Sequence, residues 1–118
     1  MPQRPGFKRG DVVLVLFPHT DLRTAKTRPA LIIQADDLGT NILQVIVAMI
    51  SSRMIRAGHA CRVVVQRDSA DGRRSGLLND SVVMTDNLAT VTEAVVYRVI
   101  GSLTMTDIDK ALRHTLAL

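Results

Sequence analysis

The sequence predicts one small, mainly β domain, an antiparallel barrel of short strands that ends in a helix. A chain of 118 residues can build a single core, so residues 1–118 are expected to form one domain. Apolar, β-branched runs of strand length alternate with turns rich in glycine, asparagine and aspartate. Only the C-terminal segment has the periodicity of an amphipathic helix. Aromatic residues make up 3% of the chain, so the core must be aliphatic.

The first half of the chain predicts three strands joined as a meander. The run "DVVLVLF", residues 11–17, is apolar on both faces, and residues 29–35 and 42–50 repeat this pattern. The turn between the second and third runs contains Gly39 and Asn41, which suit left-handed backbone positions. Because short turns join neighbouring antiparallel strands, we expect the first and third strands to flank the second.

The second half predicts three further strands, which are short. They cover residues 60–66, 81–86 and 95–103. Residues 67–80, between the first two, contain two glycines and three arginines and predict a flexible turn.

The C-terminal segment predicts a helix that packs on the sheet. Thr104 and Asp107 have the spacing of a capping box, with aspartate in the usual glutamate position. The apolar stripe of this helix comprises Ile108, Ala111, Leu112, Thr115 and Leu116.

Composition limits the classes of function. Fifteen Lys and Arg against eleven Asp and Glu give a net charge of +4 and a pI near 10.0, which favours an anionic partner. Cys61 is the only cysteine, so the chain cannot form an internal disulfide or a thiolate metal cluster. No segment has the length of apolar sequence that a membrane span or a signal peptide needs. We therefore expect a cytoplasmic protein with no membrane association.

Several common catalytic motifs are absent. The chain has no glycine-rich phosphate loop, no nucleophile elbow and no paired histidines at helical spacing. His19, His59 and His114 are scattered along the sequence. The sequence therefore predicts neither a metal site nor a cofactor.

Polar and cationic residues instead gather at two strand ends. The loop after the first strand carries His19, Asp21 and Arg28, and the third strand ends at Ser51 and Ser52. Each has an ordinary structural interpretation as well: Arg28 as a solvated residue at the start of a strand, Ser51 as a turn or cap residue, and Asp21 as an Asx-turn former.

Cleavage of RNA needs no more than such a set. The substrate supplies its own nucleophile, the 2′-hydroxyl, so the protein must align it, move protons and stabilise charge on the phosphoryl oxygens. The Arg28 guanidinium matches those oxygens in a two-point fashion. Asp21 or His19 could accept a proton, and Ser51 could hold the scissile phosphate through its hydroxyl.

Four stretches of the sequence, in order along almost the whole chain, resemble the MazF/PemK-type toxins of bacterial toxin–antitoxin modules. They are "KRGDVVLVLFP", "TDLRTAKTRPALII", "VIVAMISSR" and "GLLNDSVVMTDNLAT". The resemblance implies a small SH3-like, CcdB/PemK-type β-barrel that forms a homodimer. It also implies a metal-independent endoribonuclease that cuts single-stranded mRNA, leaves 2′,3′-cyclic phosphate and 5′-hydroxyl ends, and is blocked by a cognate antitoxin.

The resemblance also implies site residues. In the family, the arginine of the Arg-Pro pair and a threonine after the third strand are the catalytic pair, which correspond to Arg28 and Ser51. The chain departs from the family at three positions: serine replaces threonine at Ser51, Arg23 stands where many members have glutamate, and Ala89 stands where basic residues are common. Asp21 is then the nearby carboxylate, and the proton-transfer role stays open between it and His19.

A wider set of residues completes the expected site. Ser52 and Asp86 are further candidates for catalysis or substrate binding. Because Phe7, Phe17 and Tyr97 are the only aromatic residues available for base stacking, RNA binding is expected to depend on charge and therefore on salt. The candidate RNA-binding residues are Lys26, Arg53, Arg56, Arg73 and Arg74.

Two other functions stay open. One is a catalytically weakened or inactive relative that acts as a binding protein, which the changes at Arg23, Ser51 and Ala89 would explain. The other is a gyrase-inhibiting, CcdB-like toxin, although those proteins carry a Trp-Gly-Ile tail and this chain ends "HTLAL". The apolar runs "VVLVLF" and "VIVAMI" suggest an apolar face for a dimer.

Overall fold

A computed structural model describes residues 6–18, 21 and 23–118 of the chain as six strands and two helices. Two short 3₁₀ turns, Met54–Arg56 and Glu93–Val95, connect strands. The strands are β1 (Asp11–Pro18), β2 (Ala25–Ile32), β3 (Gln44–Ser51), β4 (Arg62–Val65), β5 (Ser81–Thr92) and β6 (Val96–Ser102); the helices are α1 (Ala70–Ser75) and α2 (Thr106–Leu116). No helix in this part of the chain is long and apolar enough to cross a membrane.

All six strands form one antiparallel sheet in the order β4-β5-β3-β2-β1-β6. The predicted meander is confirmed, because β2 lies between β1 and β3. The turn that precedes β3 has the expected left-handed residues, with φ of 80° at Gly39 and 58° at Asn41. Among the described residues, β4 pairs only with β5, and β6 pairs only with β1. Within this part of the chain, the edge strands β4 and β6 do not pair with each other, so the sheet does not close into a barrel.

Both faces of the sheet are buried, as the apolar runs predict. On one face, α2 packs Ile108 and Leu112 against Val12, Leu31 and Val83, which we call the helix-side core. The other face is covered by what we call the opposite core, in which the fully buried members are Val13, Val15, Ala30, Val47 and Val82. Burial on two sides explains why β1 and β3 read as continuous aliphatic runs instead of alternating ones.

The same burial removes the argument that these runs form a dimer face. All but Ile46 of the apolar residues of β3 are buried within the chain. In β1, Leu16 is the described apolar residue with a substantial exposed fraction, 38%. The apolar residues of these strands are therefore buried in the two cores of the chain itself. The expectation of a homodimer then rests on the family resemblance alone.

The stretch 67–80 is not a flexible turn, as predicted, but contains α1. The Ser69 side chain caps this helix by accepting a hydrogen bond from the Gly72 N–H, 3.0 Å, and the helix ends at Gly76 with φ of 73°. A Cβ at Gly72 would lie 1.9 Å from the Gln66 carbonyl oxygen, just after β4, and one at Gly101 would lie 2.2 Å from the Arg74 carbonyl oxygen. The helix is thus packed backbone to backbone against the end of β4 and against β6.

The strand β5 runs six residues beyond the predicted end at residue 86. The predicted end of β5 was wrong because the apolar pattern is interrupted at residues 85–87 by a β-bulge, and the strand continues beyond it. Ala48 of β3 pairs with Leu88, but its neighbour Met49 pairs with Met84, so residues 85–87 have no partners on β3. Thr85 fixes the base of this bulge: its N–H and hydroxyl both donate to the Cys61 carbonyl oxygen, at 3.0 and 2.6 Å.

The strand β2 begins four residues earlier than predicted, at Ala25, and ends at Ile32 instead of residue 35. The polar residues 25–28 looked like loop, yet they pair with β1 in a long hairpin, with Lys26 opposite Phe17. Tertiary pairing here overrides a weak local preference.

The C-terminal helix is confirmed, but its predicted cap is wrong. The residue at the N-cap position is Met105, and no side chain caps the helix. The Thr104 hydroxyl donates instead to the Asp71 carboxylate of α1, 3.0 Å. Of the predicted stripe, Ile108, Ala111 and Leu112 are buried, Thr115 is half-buried and Leu116 is exposed.

Candidate functional site

The strand register places Arg28 level with Ser51. In the β2–β3 ladder, the last pair is Ala30 with Met49. If the same register continued for two more residues, Arg28 would lie opposite Ser51. The ladder itself stops at Ala30, directly after Pro29, which has no N–H to donate. Paired strands lie about 4.8 Å apart, so a register continued past Ala30 would bring the two side chains within joint reach of a single phosphate.

Both side chains belong to the same face of the sheet. Arg28 is paired on its other side with Val15 of β1, and Ser51 with Val82 of β5. Val15 and Val82 are both fully buried members of the opposite core. The row across four strands therefore has apolar residues at its ends and a guanidinium and a hydroxyl in its middle. Arg28 is exposed and Ser51 half-buried, so this middle is open to solvent.

The Ser51 hydroxyl also has a structural role. Its Oγ accepts a hydrogen bond from the Arg53 N–H, 3.1 Å, which fixes the turn that leaves β3. The hydroxyl proton is not committed by that bond, so Ser51 can still donate to an anion. The turn interpretation and the phosphate-binding interpretation are therefore compatible.

Asp21 is the carboxylate of an Asx turn. Its Oδ1 accepts from the backbone N–H groups of Arg23, 2.9 Å, and Thr24, 3.2 Å. These hydrogen bonds, that from Arg23 first, hold the pKa of Asp21 below its usual value. The side chain is exposed and ionised at neutral pH, so it can accept a proton but cannot donate one, and its lowered pKa makes it a weaker base. His19, the alternative acceptor, lies outside the described residues.

Other candidates surround the row. Lys26 is exposed and lies two residues before Arg28 on β2, so the pleat places both on one face. Ser52 is exposed immediately after β3. Arg53 precedes the 3₁₀ turn that follows and Arg56 ends it. Ala57 packs against the opposite core, so this turn folds back over the face that carries Arg28 and Ser51.

Asp86 is engaged in a two-point ion pair with Arg62, a residue that the sequence did not single out. Arg62 Nη2 lies 3.0 Å from Asp86 Oδ2, and Nε lies 3.3 Å from Oδ1. This hydrogen bond lowers the pKa of Asp86 and raises that of Arg62. The two residues are 24 positions apart in sequence, and only the pairing of β4 with β5 brings them together, so no local signal could have found Arg62.

Arg73 and Arg74 lie elsewhere, on α1. Arg74 is paired with Asp71 and lies 3.3 Å from the Thr104 hydroxyl, next to β6 and the start of α2. Arg73 is exposed on the same helix. The structure therefore groups Lys26, Arg53 and Arg56 around Arg28 and Ser51, and it groups Arg73 and Arg74 with the α1–α2 contact.

Within the described residues, no group of three or more His, Cys, Asp and Glu side chains is arranged to hold a metal ion. Cys61 is half-buried and forms no disulfide.

Comparison with known structures agrees with this fold. An endoribonuclease in complex with its cognate antitoxin from Mycobacterial species is 22% identical over 96% of this chain and 97% of its own, with a TM-score of 0.73. Mycobacterium tuberculosis toxin MazF-mt6 is 25% identical over 92% of this chain and 97% of its own, with a TM-score of 0.69. MazE–MazF from Deinococcus radiodurans (Form-II) is 15% identical over 94% and 96%, also with a TM-score of 0.69.

At the level of sequence, no curated protein matches the chain significantly. A family model, however, matches residues 8–116, which include every element of the fold and both members of the Arg28–Ser51 pair. That model describes the PemK-like, MazF-like toxin of type II toxin–antitoxin systems. This chain therefore belongs to the PemK-like, MazF-like toxin family.

Proposed function

We propose that this protein is the toxin of a type II toxin–antitoxin system and an endoribonuclease that cleaves single-stranded mRNA without a metal ion. The observation that supports the proposal is the β2–β3 register, with Ala30 opposite Met49; continued by two residues, it brings Arg28 level with Ser51 on one solvent-open face of the sheet. The surrounding cations, Lys26, Arg53 and Arg56, supply the positive field that an RNA backbone requires. Family membership and the endoribonuclease and toxin relatives support the same function.

The proposed reaction is transesterification within the RNA. The ribose 2′-oxygen attacks the adjacent phosphorus, the bond to the 5′-oxygen of the next nucleotide breaks, and the products are a 2′,3′-cyclic phosphate and a 5′-hydroxyl. The Arg28 guanidinium binds the phosphoryl oxygens, on which charge accumulates, and the Ser51 hydroxyl donates to the same phosphate. The guanidinium acts by binding the phosphate, so it takes no part in proton transfer.

Proton transfer falls to other groups. The 2′-hydroxyl must lose a proton and the departing 5′-oxygen must gain one. Asp21, held ionised by its turn, is the proposed acceptor of the first proton, although its lowered pKa makes it a weak base, and His19 is the alternative. Because the pKa of Asp21 is lowered, its carboxylate is present at neutral pH and is lost only when the pH falls through that lowered value.

The partners and location follow from family membership as proposals. A cognate antitoxin would cover the face that carries Arg28 and Ser51, and so exclude RNA. A homodimer and a cytoplasmic location are expected for the same reason; they are tested by the mass of the protein in solution and by fractionation of cells.

Incubation of the purified protein with a long single-stranded RNA in excess EDTA tests the proposed activity. We expect discrete cuts whose 3′ ends carry a cyclic phosphate, read by end-specific labelling. Cuts that vanish on addition of EDTA would contradict the metal-independent mechanism. If the folded protein makes no cuts but binds RNA or an antitoxin, it is an inactive binding relative.

Substitutions at Ser51 test the second member of the pair. Ser51→Ala removes the hydroxyl and is expected to reduce kcat by about 10²-fold, the effect of losing one donor to a developing oxyanion. Ser51→Thr keeps the hydroxyl, restricts its rotamer and restores the residue usual in the family, so it should cleave at least as fast as the wild type. Equal rates for the serine and alanine proteins would remove Ser51 from the mechanism.

A further inference from the structure

We infer that Arg62 and Asp86 act as a positioning pair that fixes the 52–57 segment, and through it the cations Arg53 and Arg56, beside the Arg28–Ser51 row. The inference rests on the proposed function for its consequence, which is RNA binding. Its structural part rests on three contacts of one guanidinium. Asp86 is then not a catalytic residue, since it acts through Arg62.

The guanidinium of Arg62 joins three pieces of the chain. Its Nε and Nη2 are held by the Asp86 carboxylate at 3.3 and 3.0 Å, and its Nη1 donates to the Arg56 carbonyl oxygen at 2.8 Å. The side chain is 22% exposed; its bonds to Asp86 face solvent, and its bond to the Arg56 carbonyl oxygen is partly buried. The Asp86 carboxylate orients the guanidinium, and Nη1 then donates to the backbone of the 3₁₀ turn.

The N-terminal end of the 52–57 segment is held by Ser51. The Ser51 hydroxyl accepts from the Arg53 N–H, and the Arg53 carbonyl accepts from the Arg56 N–H at 3.0 Å. Arg56 Nη1 in turn reaches the Met84 sulfur, 3.8 Å away. Met84 pairs with Met49 on one side and Arg62 on the other, and this row lies next to the row of Ser51 and Val82.

The bulge in β5 explains how Asp86 reaches Arg62. Residues 85–87 leave the β3 ladder, and Thr85 is fully buried and anchored by hydrogen bonds to the Cys61 carbonyl and the Thr115 hydroxyl, 2.6 and 2.7 Å. Bulges of this kind redirect a side chain next to a functional site. Here the side chain that follows the buried anchor is the carboxylate that orients Arg62.

Hydrogen exchange of the Arg56 and Ala57 amides in the free protein tests the structural part, with no RNA present. We expect Arg62→Gln to speed exchange of these two amides at least tenfold more than Arg67→Gln, which removes an exposed guanidinium elsewhere. Asp86→Asn, which keeps an acceptor oxygen but loses the charge, should fall between them. Unchanged protection in Arg62→Gln would overturn the inference.

Steady-state cleavage of a short fluorogenic single-stranded RNA tests the consequence, at a temperature where circular dichroism shows every variant fully folded. We expect Arg62→Gln to raise KM about tenfold, with kcat within about twofold of the wild type. A residue that only stabilises the fold would leave both constants unchanged, and so would Gly39→Ala, a destabilising control remote from these contacts. A fall in kcat with an unchanged KM would also overturn the positioning role.

The two measurements separate this inference from the proposed function. If the wild-type protein cuts no RNA, the proposed function fails and the exchange experiment still decides whether Arg62 fixes the segment. If the wild type cuts RNA and the Arg62→Gln protein loses protection but keeps its KM, the positioning role is wrong and the ribonuclease proposal stands.

Discussion

Replacing Arg28 by alanine is expected to lower the rate of RNA cleavage by about 10²–10³-fold, because it removes the two-point donor to the phosphoryl oxygens. The side chain is exposed, so the folded state should lose no more than about 0.5 kcal/mol. The measurement is kcat on a single-stranded RNA beside a thermal melt of the same preparation. A loss of activity with an unchanged melting temperature would assign the effect to chemistry.

The matched control for Arg28 is Arg113→Ala, which deletes an exposed guanidinium from the last turn of α2. It makes the same change in net charge on a different element, so it reports the effect of charge alone. We expect its rate to stay within about twofold of the wild type at moderate salt, because distant exposed charges are screened. If Arg28→Ala behaves like this control, Arg28 does not bind the reacting phosphate.

A methyl group at Gly101 is expected to cost the fold about 3 kcal/mol or more, the largest effect on stability that we predict. The added Cβ would lie 2.2 Å from the Arg74 carbonyl oxygen and 2.5 Å from that of Ser75. Both contacts are with the backbone of α1, which cannot rotate away as a side chain could. The free energy of unfolding of Gly101→Ala, from denaturant titration, measures the effect. Gly72→Ala, whose Cβ would lie 1.9 Å from the Gln66 carbonyl oxygen, should behave alike.

The control for these substitutions is Gly39→Ala, in the turn that precedes β3. Gly39 has φ of 80° and no atom within 4 Å of an added Cβ, so this change introduces backbone strain without a clash. The expected cost is about 1–2 kcal/mol. Should Gly101→Ala and Gly39→Ala unfold at the same denaturant concentration, α1 is not packed tightly against β6.

The predictions for Arg28 and Gly101 concern the candidate site and the packing of the sheet that carries it. Arg28 pairs with Val15 and Ser51 with Val82, and both valines are fully buried, so the candidate site lies on a sheet that has a core on each face. The α1 helix packs against the edge strand β6 through close backbone contact at Gly101 and against the residues that follow β4 at Gly72. A site that must hold two groups opposite one phosphate benefits from placement on strands, because strand pairing leaves little freedom in their separation.

The sequence by itself determined the elements that depend on local pattern. The aliphatic runs of β1, β2 and β3 are buried on both faces, their order as a meander is correct, and the apolar stripe of α2 packs where its period predicts. The sequence also proposed Arg28 and Ser51 as site residues, through the motifs that surround them, and this choice stays a prediction. These features need only the residues near them in the chain, which is why the sequence determines them.

The tertiary structure decided everything that depends on pairing between distant residues. The register of β2 against β3, continued two residues past its last pair, brings Arg28 level with Ser51, and the bulge in β5 places Asp86 beside Arg62, across 24 positions of sequence. The stretch 67–80 contains a helix because a capping serine and glycines without side chains allow its backbone to lie against β6 and against the residues that follow β4. Local pattern fixes which segments are strands, but register, bulges and close packing are fixed by contacts between segments, and no short stretch of sequence contains them.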